Sequence, residues 1–168
     1  MISVALYEPQ IPQNTGNIAR LAVGLDIELY LVGKLGFSID DKYLKRAGLD
    51  YWENLKLKVY DNYGDFASDT GERRKIFATT KGATPYFKFN YRVGDIVVFG
   101  SETKGLPSNL LIDNVGQTVT IPMPGSVRSL NLSNSASIIA YHSLIELGYF
   151  SDFTVNRNYG EFFHKTLA

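Results

Sequence analysis

The stretch Asp95-Ile96-Val97-Val98-Phe99-Gly100-Ser101-Glu102-Thr103-Lys104-Gly105-Leu106-Pro107 decides the fold class. Its four consecutive apolar residues, Ile96 to Phe99, show no polar alternation. Such a run is expected of a central strand covered on both faces, the habit of parallel sheets. It leads into a glycine, a polar turn, a second glycine and a proline. Two glycines let the backbone approach a ligand closely. A plain strand-to-helix turn is the simpler reading of the same residues.

Outward from this stretch, further strands are expected at Ile2–Tyr7, Glu28–Val32, Leu55–Tyr60, Lys75–Thr80 and Val119–Met123. Helical stretches alternate with them. Asn14–Leu25 carries Ile18, Leu21, Ala22 and Leu25 on one face, with Asn14 as the expected N-cap. Asp40 caps an expected helix over Asp41–Ala47, stopped by Gly48. Asp65–Ser68 is short and weak, and Ser108–Asp113 follows Pro107. The strongest helix is Leu132–Leu147, ended by Gly148. Strands alternating with helices imply an α/β fold, a mainly parallel sheet flanked by helices. No repeat or linker interrupts it. One domain is expected over residues 1–150. The tail, 151–168, belongs to an aromatic-rich stretch that starts at Tyr149 and Phe150 and continues through Phe153, Tyr159, Phe162 and Phe163. Such a tail packs on the domain, or serves a dimer or RNA contact.

Composition narrows the function. A chain of 168 residues hides roughly 70% of its unfolded surface, enough for a sizeable core. Cations and anions balance at 17 each, eleven of each sign in residues 1–84 and six of each in 85–168. A chain-wide basic field for nucleic acid is thereby excluded, though a local patch is not. Cysteine is absent, which removes disulfides, thiolate zinc, iron–sulfur clusters and a thiol nucleophile. With only His142 and His164, no metal site is expected. No apolar run is long enough to span a bilayer, and the N-terminus lacks a basic n-region and cleavage motif, so a cytoplasmic protein without a membrane partner is expected. Neither a P-loop, a dinucleotide-binding glycine pattern nor a nucleophile elbow occurs.

Two more constellations join the Gly100–Pro107 loop. Pro9-Gln10-Ile11-Pro12-Gln13-Asn14-Thr15-Gly16-Asn17-Ile18-Ala19-Arg20 stiffens the turn after the first strand. It places Asn17 and Arg20 on one helix face, a setting suited to an anion. Ile121-Pro122-Met123-Pro124-Gly125-Ser126-Val127-Arg128-Ser129-Leu130-Asn131-Leu132-Ser133 shapes a loop with Pro and Gly and then feeds Ser and Asn into the long helix. Such residues are poor helix-interior choices and good hydrogen-bonding ones. Asn134, Ser137 and Tyr141 continue as a polar stripe.

Taken in order, these three stretches resemble the motifs of the SPOUT superfamily of S-adenosylmethionine-dependent RNA methyltransferases, in its SpoU branch of ribose 2'-O-methyltransferases. Leu6-Tyr7-Glu8-Pro9, Ile11 to Asn17, and Arg46-Ala47-Gly48-Leu49-Asp50-Tyr51 look closer still to the small tRNA (cytidine/uridine) 2'-O-methyltransferases of the wobble position. The resemblance covers residues 1–150. It implies a C-terminal trefoil knot, which periodicity does not show. It also implies a homodimer, with the Leu132–Leu147 and Asn14–Leu25 helices packing across the two-fold. S-adenosyl-L-methionine would be the cofactor, leaving as S-adenosyl-L-homocysteine, without metal.

Residue by residue, the resemblance assigns cofactor binding to Ala78, Gly100, Glu102, Ile121, Ser129, Leu130 and Leu132. Catalysis falls to Arg20, with Asn14, Ser129 and Tyr141, and Asn14 and Glu102 would position Arg20 and the loops. Ser101 departs from the proline common in related wobble enzymes. The expected activity is methylation of the wobble cytidine or uridine ribose in the tRNA anticodon stem-loop, not of DNA. A 2'-O-methyltransferase for another tRNA or rRNA ribose, and an RNA-binding module without catalysis, are the alternatives. RNA contacts are expected from Lys42, Lys45, Arg46 and Arg92. The aromatics of Tyr86-Phe87-Lys88-Phe89-Asn90-Tyr91-Arg92 are read as a stacking platform for unpaired bases or, equally, as a strand edge.

Overall fold

The computed structural model describes residues 1–38 and 52–153. The expected helix Asp41–Ala47 with its cap Asp40, the cations Lys42, Lys45 and Arg46, and residues 154–168 of the tail lie outside the described residues. Seven strands form: β1 (Ser3–Tyr7), β2 (Leu29–Val32), β3 (Leu57–Tyr60), β4 (Lys75–Ala78), β5 (Thr84–Pro85), β6 (Ile96–Phe99) and β7 (Thr118–Thr120). The helices are α1 (Pro12–Gly24), α2 (Tyr63–Thr70), α3 (Ser108–Asp113) and α4 (Leu132–Glu146). All strand pairings are parallel, in the order β3-β2-β1-β6-β4-β7-β5.

The central strand is the one expected. In β6, Val97 and Phe99 enter one core layer, while Ile96 and Val98 enter the other. The same split runs through β1 and β2: Val4, Leu6, Leu29 and Leu31 point one way, Ala5, Tyr30 and Val32 the other. The first layer is closed by α1 and α4, through Ile18, Ala19, Ala22, Ala136, Ile139, Ala140 and Leu144. These two helices therefore pack against each other within one chain. The second layer is closed by α2 and α3 through Phe66 and Leu111, with Tyr30, Tyr60 and Tyr63 around Phe66 at centroid separations of 5.5–5.7 Å.

Several boundaries depart from the sequence reading. Helix α1 starts at Pro12, two residues before Asn14, with Ile11 at the N-cap and no side-chain cap of its own. Proline suits that first position because its missing N–H would be unsatisfied there anyway. Asn14 is thus inside the helix, its side chain free for other partners. The weak Asp65–Ser68 helix extends over Tyr63–Thr70, because the Asn62 side chain accepts from Asp65 N at 3.0 Å and caps it. Strand β7 ends at Thr120 rather than Met123, ahead of Pro122, which has no N–H for a ladder. Strand β5 was not expected; two residues carry no periodicity.

Candidate active site

The strand order reverses beside β1 and β6, where successive strands proceed outward in opposite directions. Open parallel sheets bind ligands at the carboxyl ends of strands at such a switch point. The loops after β1 and β6 meet there. Glu8 turns the chain with φ +48°, held by Glu8 N donating to Val32 O at 2.8 Å and Gln10 Nε2 donating to Glu8 O at 2.7 Å.

The loop after β6 is a closed knuckle. Gly105 N donates to Ser101 O at 2.8 Å, and Lys104 N donates to Ser101 Oγ at 3.2 Å. Gly105 lies at φ +68°, and a Cβ on Gly100 would collide with the backbone of Gly105 and Leu106. Both glycines are thus required, one by conformation and one by close approach. Ser101 is buried and closes this loop by hydrogen bonds, where a proline would restrain it through φ.

From this knuckle Glu102 reaches the start of α1. Its Oε2 accepts from Gln10 N at 2.8 Å, and its Oε1 accepts from Ile11 N at 3.2 Å and Asn14 Nδ2 at 2.8 Å. The carboxylate supplies the capping that the helix lacks locally, at the end where the helix dipole favours negative charge. A carboxylate only accepts, so the Asn14 amide is oriented with its nitrogen toward Glu102. Asn14 Oδ1 then accepts from Asn131 Nδ2 at 2.9 Å. Asn131 Oδ1 in turn accepts from Ser133 N at 2.8 Å and Ser133 Oγ at 2.7 Å, capping α4. One hydrogen-bond chain joins the three motifs, and every amide direction in it follows from the carboxylate.

Beside this chain opens a cleft of about 480 Å³, within the range of small-molecule sites. All seven residues expected at the cofactor line it: Ala78, Gly100, Glu102, Ile121, Ser129, Leu130 and Leu132. Asn14 lines it as well. Phe99, Leu106, Val119 and Ile139 form apolar walls, and Thr79, Thr80 and Ser135 add hydroxyls. Apolar walls with a few polar groups fit an adenosine bearing a charged amino-acid arm. Thr79 and Thr80 escaped the sequence reading, although their place directly after β4 was the available signal. Among the described residues no cluster of His, Cys, Asp or Glu could hold a metal ion, and no helix is long and apolar enough to cross a membrane.

Other expected residues stand apart. Arg20 is exposed on α1, eight residues past Pro12, about 12 Å down the helix, and it is not among the cleft residues. Tyr141 is exposed on α4, stacked on Phe150 with centroids 5.8 Å apart and planes at 18°. Arg92 is exposed just before β6, at the amino end of the sheet, opposite the cleft. The stacking platform expected over 86–92 does not form. Phe89 and Tyr91 are buried, Tyr86 and Tyr91 flank His142 at 5.1 and 6.1 Å, and of these aromatics Phe87 alone is exposed.

Known proteins share this fold. The tRNA (cytidine(34)-2'-O)-methyltransferase of Photorhabdus asymbiotica subsp. asymbiotica is 43% identical over 156 residues, covering 89% of this chain and 96% of that one. A solved structure described as giving insights into the 2-OH methylation of C/U34 on tRNA superposes with a TM-score of 0.83 at 39% identity, over 88% of this chain and 96% of that chain. The SpoU methyltransferase AviRb from Streptomyces viridochromogenes, in complex with the cofactor AdoMet, superposes with a TM-score of 0.77 at 26% identity, over 86% of this chain and 57% of that chain. The family described as SpoU rRNA Methylase matches residues 1–141. The chain belongs to the SpoU rRNA Methylase family.

Proposed function

We propose that this protein is an S-adenosyl-L-methionine-dependent tRNA 2'-O-ribose methyltransferase that acts on the wobble cytidine or uridine of the anticodon loop. The observation that carries this reading is the hydrogen-bond chain Glu102–Asn14–Asn131–Ser133, which draws three separate motifs around one cleft. The relatives named for this activity support the substrate and position, and the AdoMet-bound neighbour supports the cofactor.

When bound, the cofactor supplies an electrophilic methyl group on a sulfonium. The backbone around Ala78, Gly100 and Ile121, with Ser129, Leu130 and Leu132, would hold its adenine, ribose and methionine parts. The 2'-oxygen would bond to the methyl as the carbon–sulfur bond breaks and would release its proton to water; as that proton leaves ahead of the transfer, negative charge builds on the oxygen. Catalysis is then positioning plus stabilisation of that charge. Arg20 is assigned to the charge. A guanidinium stays protonated in proteins, so it acts electrostatically rather than by taking the proton. Tyr141 is assigned to hold the acceptor.

Arg20 and Tyr141 stand outside the cleft of their own protomer, which supports a homodimer in which each serves a neighbour's site. The exposed strip of Tyr141, Ile145 (63%) and Phe153 (75%) beside α4 supports the same reading. The aromatic tail would pack on that dimer. The late strand β7 inserts between the earlier β4 and β5, and the segment after it returns to α1. This insertion supports the knotted C-terminal part. The protein would act in the cytoplasm, with Lys42, Lys45 and Arg46 as RNA contacts.

The test is a tRNA carrying a 2'-deoxy nucleotide at the wobble position alone. It should bind and accept no methyl, while the all-ribose tRNA is methylated there. Methyl transfer to the deoxy substrate, or a methylated base after complete digestion, refutes the assignment.

A further inference from the structure

The chain has no net charge, yet the described Lys and Arg ion pairs all lie toward one end of the sheet. The Lys and Arg ion pairs gather toward the amino end. Lys56 pairs with Asp26 at 2.6 Å, Lys58 with Asp69 at 3.1 Å, Arg73 with Glu28 at 3.0 Å and Arg74 with Asp95 at 2.6 Å. Arg73 and Arg74 precede β4, Glu28 precedes β2 and Asp95 precedes β6. At the carboxyl end the pattern inverts. Lys81 follows β4, Lys104 follows β6 and Arg128 follows β7. All three are exposed, and none is in an ion pair among the described residues.

These three strands are consecutive neighbours in the sheet, β6-β4-β7. Their trailing loops are therefore spaced by about 4.8 Å per strand, and the cations they carry surround one opening. Lys104 and Arg128 line the cleft itself, and Lys81 adjoins Thr79 and Thr80, which do. Glu102 is the sole acidic residue among the described cleft residues, and its two oxygens are taken by Gln10 N, Ile11 N and Asn14 Nδ2. Three cations against this one carboxylate, which is turned toward the start of α1, leave the mouth with net positive charge. Lys34, after β2, is unlike these three, since Asp61 shares its surroundings.

We propose that Lys81, Lys104 and Arg128 form the phosphate-binding surface of this protein, holding the backbone of a single-stranded RNA segment so that one ribose faces the cleft. This inference rests on the functional reading above and extends it to the contacts that hold the substrate. Three unpaired cations on three adjacent loops match a flexible polyanion. The paired cations at the amino end are already neutralised and offer it little. Arg92, at that far end, is not part of this surface.

The test is binding of a synthetic anticodon stem-loop RNA and of full tRNA across a salt series. Each single-strand phosphate contact contributes about −0.7 to the log–log slope. The triple variant Lys81→Gln/Lys104→Gln/Arg128→Gln should thus lose about 2 units of slope, with its S-adenosylhomocysteine affinity unchanged by calorimetry. The charge-matched variant Lys56→Gln/Lys58→Gln/Lys75→Gln should keep the wild-type slope. Equal loss in both triple variants overturns the proposal, because overall charge would then suffice. Loss of cofactor affinity in the first triple also overturns it, by assigning the cations to the cofactor's carboxylate. Wild-type protein that binds RNA steeply with salt and transfers no methyl overturns the enzymatic reading and leaves the surface standing. Wild-type protein that binds no RNA overturns both.

Discussion

Replacing Glu102 by Gln keeps the shape of the side chain and removes its charge and its uniform acceptor character, which makes it a sharp test of the motif-joining chain. Oε1 accepts from both Ile11 N and Asn14 Nδ2, and Oε2 accepts from Gln10 N. The new amide can present its oxygen to only one of these two sides. With the oxygen kept toward Gln10, the nitrogen faces two donors. Asn14 could turn over to accept, but its nitrogen would then oppose Asn131 Nδ2, and Asn131 would turn in its place. The fault would end at Ser133 N, an uncapped donor at the start of α4. Either way at least one donor loses its partner. A donor left facing a donor costs about 1–3 kcal/mol, and losing the charge at the α1 terminus adds about 0.3–1 kcal/mol. The expected destabilisation is about 2–3 kcal/mol, read from urea unfolding at constant m-value. Adding Asn14→Asp should recover part of this, because the aspartate accepts from the new amide and still accepts from Asn131. It should not recover the Ile11 N contact. Asn14→Asp alone sets two carboxylates face to face and is also destabilising, so the double-mutant cycle gives a favourable coupling larger than the stability the double variant recovers. Additive destabilisation would refute the reasoning, as would a Glu102→Gln variant as stable as wild type.

Gly100→Ala should abolish S-adenosylhomocysteine binding measured by calorimetry, because the added Cβ meets the backbone of Gly105 and Leu106. Arg74→Met should cost about 3 kcal/mol in chemical unfolding, since it strands the buried Asp95 carboxylate, which Arg74 Nε and Nη2 hold at 2.9 and 2.6 Å, with Arg92 N at 2.8 Å as its remaining donor. The Glu28 carboxyl is held below its ordinary range chiefly by the Tyr30 hydroxyl, with Arg73 and Ser3 helping and burial opposing. Its lowered pKa contributes stability that is present above the unfolded carboxylate range and is lost as pH falls through the folded value. Glu28→Gln should flatten the acid limb of the stability–pH curve. Arg20→Ala should remove methyl transfer while cofactor affinity survives, because Arg20 is exposed on α1 and the cofactor loops follow later strands; loss of both together would refute that division.

What could be read along the chain was whatever neighbouring residues decide. The unbroken Ile96–Phe99 run marked the central strand because both of its faces are covered, and helix α3 began where Pro107 and Ser108 place it. The seven residues expected at the cofactor, all of which line the cleft, were reached through motifs whose glycines and prolines answer to the shape of a single loop. The start of α1 was misplaced at Asn14 because its capping carboxylate comes from Glu102, 88 positions away, and no local pattern reports such a partner. The aromatics of 86–92 looked available for bases because periodicity cannot say that His142 and the Arg74 guanidinium, 5.2 Å from the Phe89 ring, would cover them.

The sequence by itself determined a parallel α/β sheet, the three loops that line the cleft and the absence of thiol chemistry, because composition and local backbone preference suffice for these. Only the tertiary structure decided that Asn14 links Glu102 to Asn131, that Arg20 and Tyr141 stand outside their own cleft, and that Lys81, Lys104 and Arg128 meet at the carboxyl end of β4, β6 and β7. The physical reason is that hydrogen-bond satisfaction and charge pairing depend on distance in space. A balanced total of 17 cations and 17 anions is silent about its sorting until the crossovers of the sheet bring distant loops to one end.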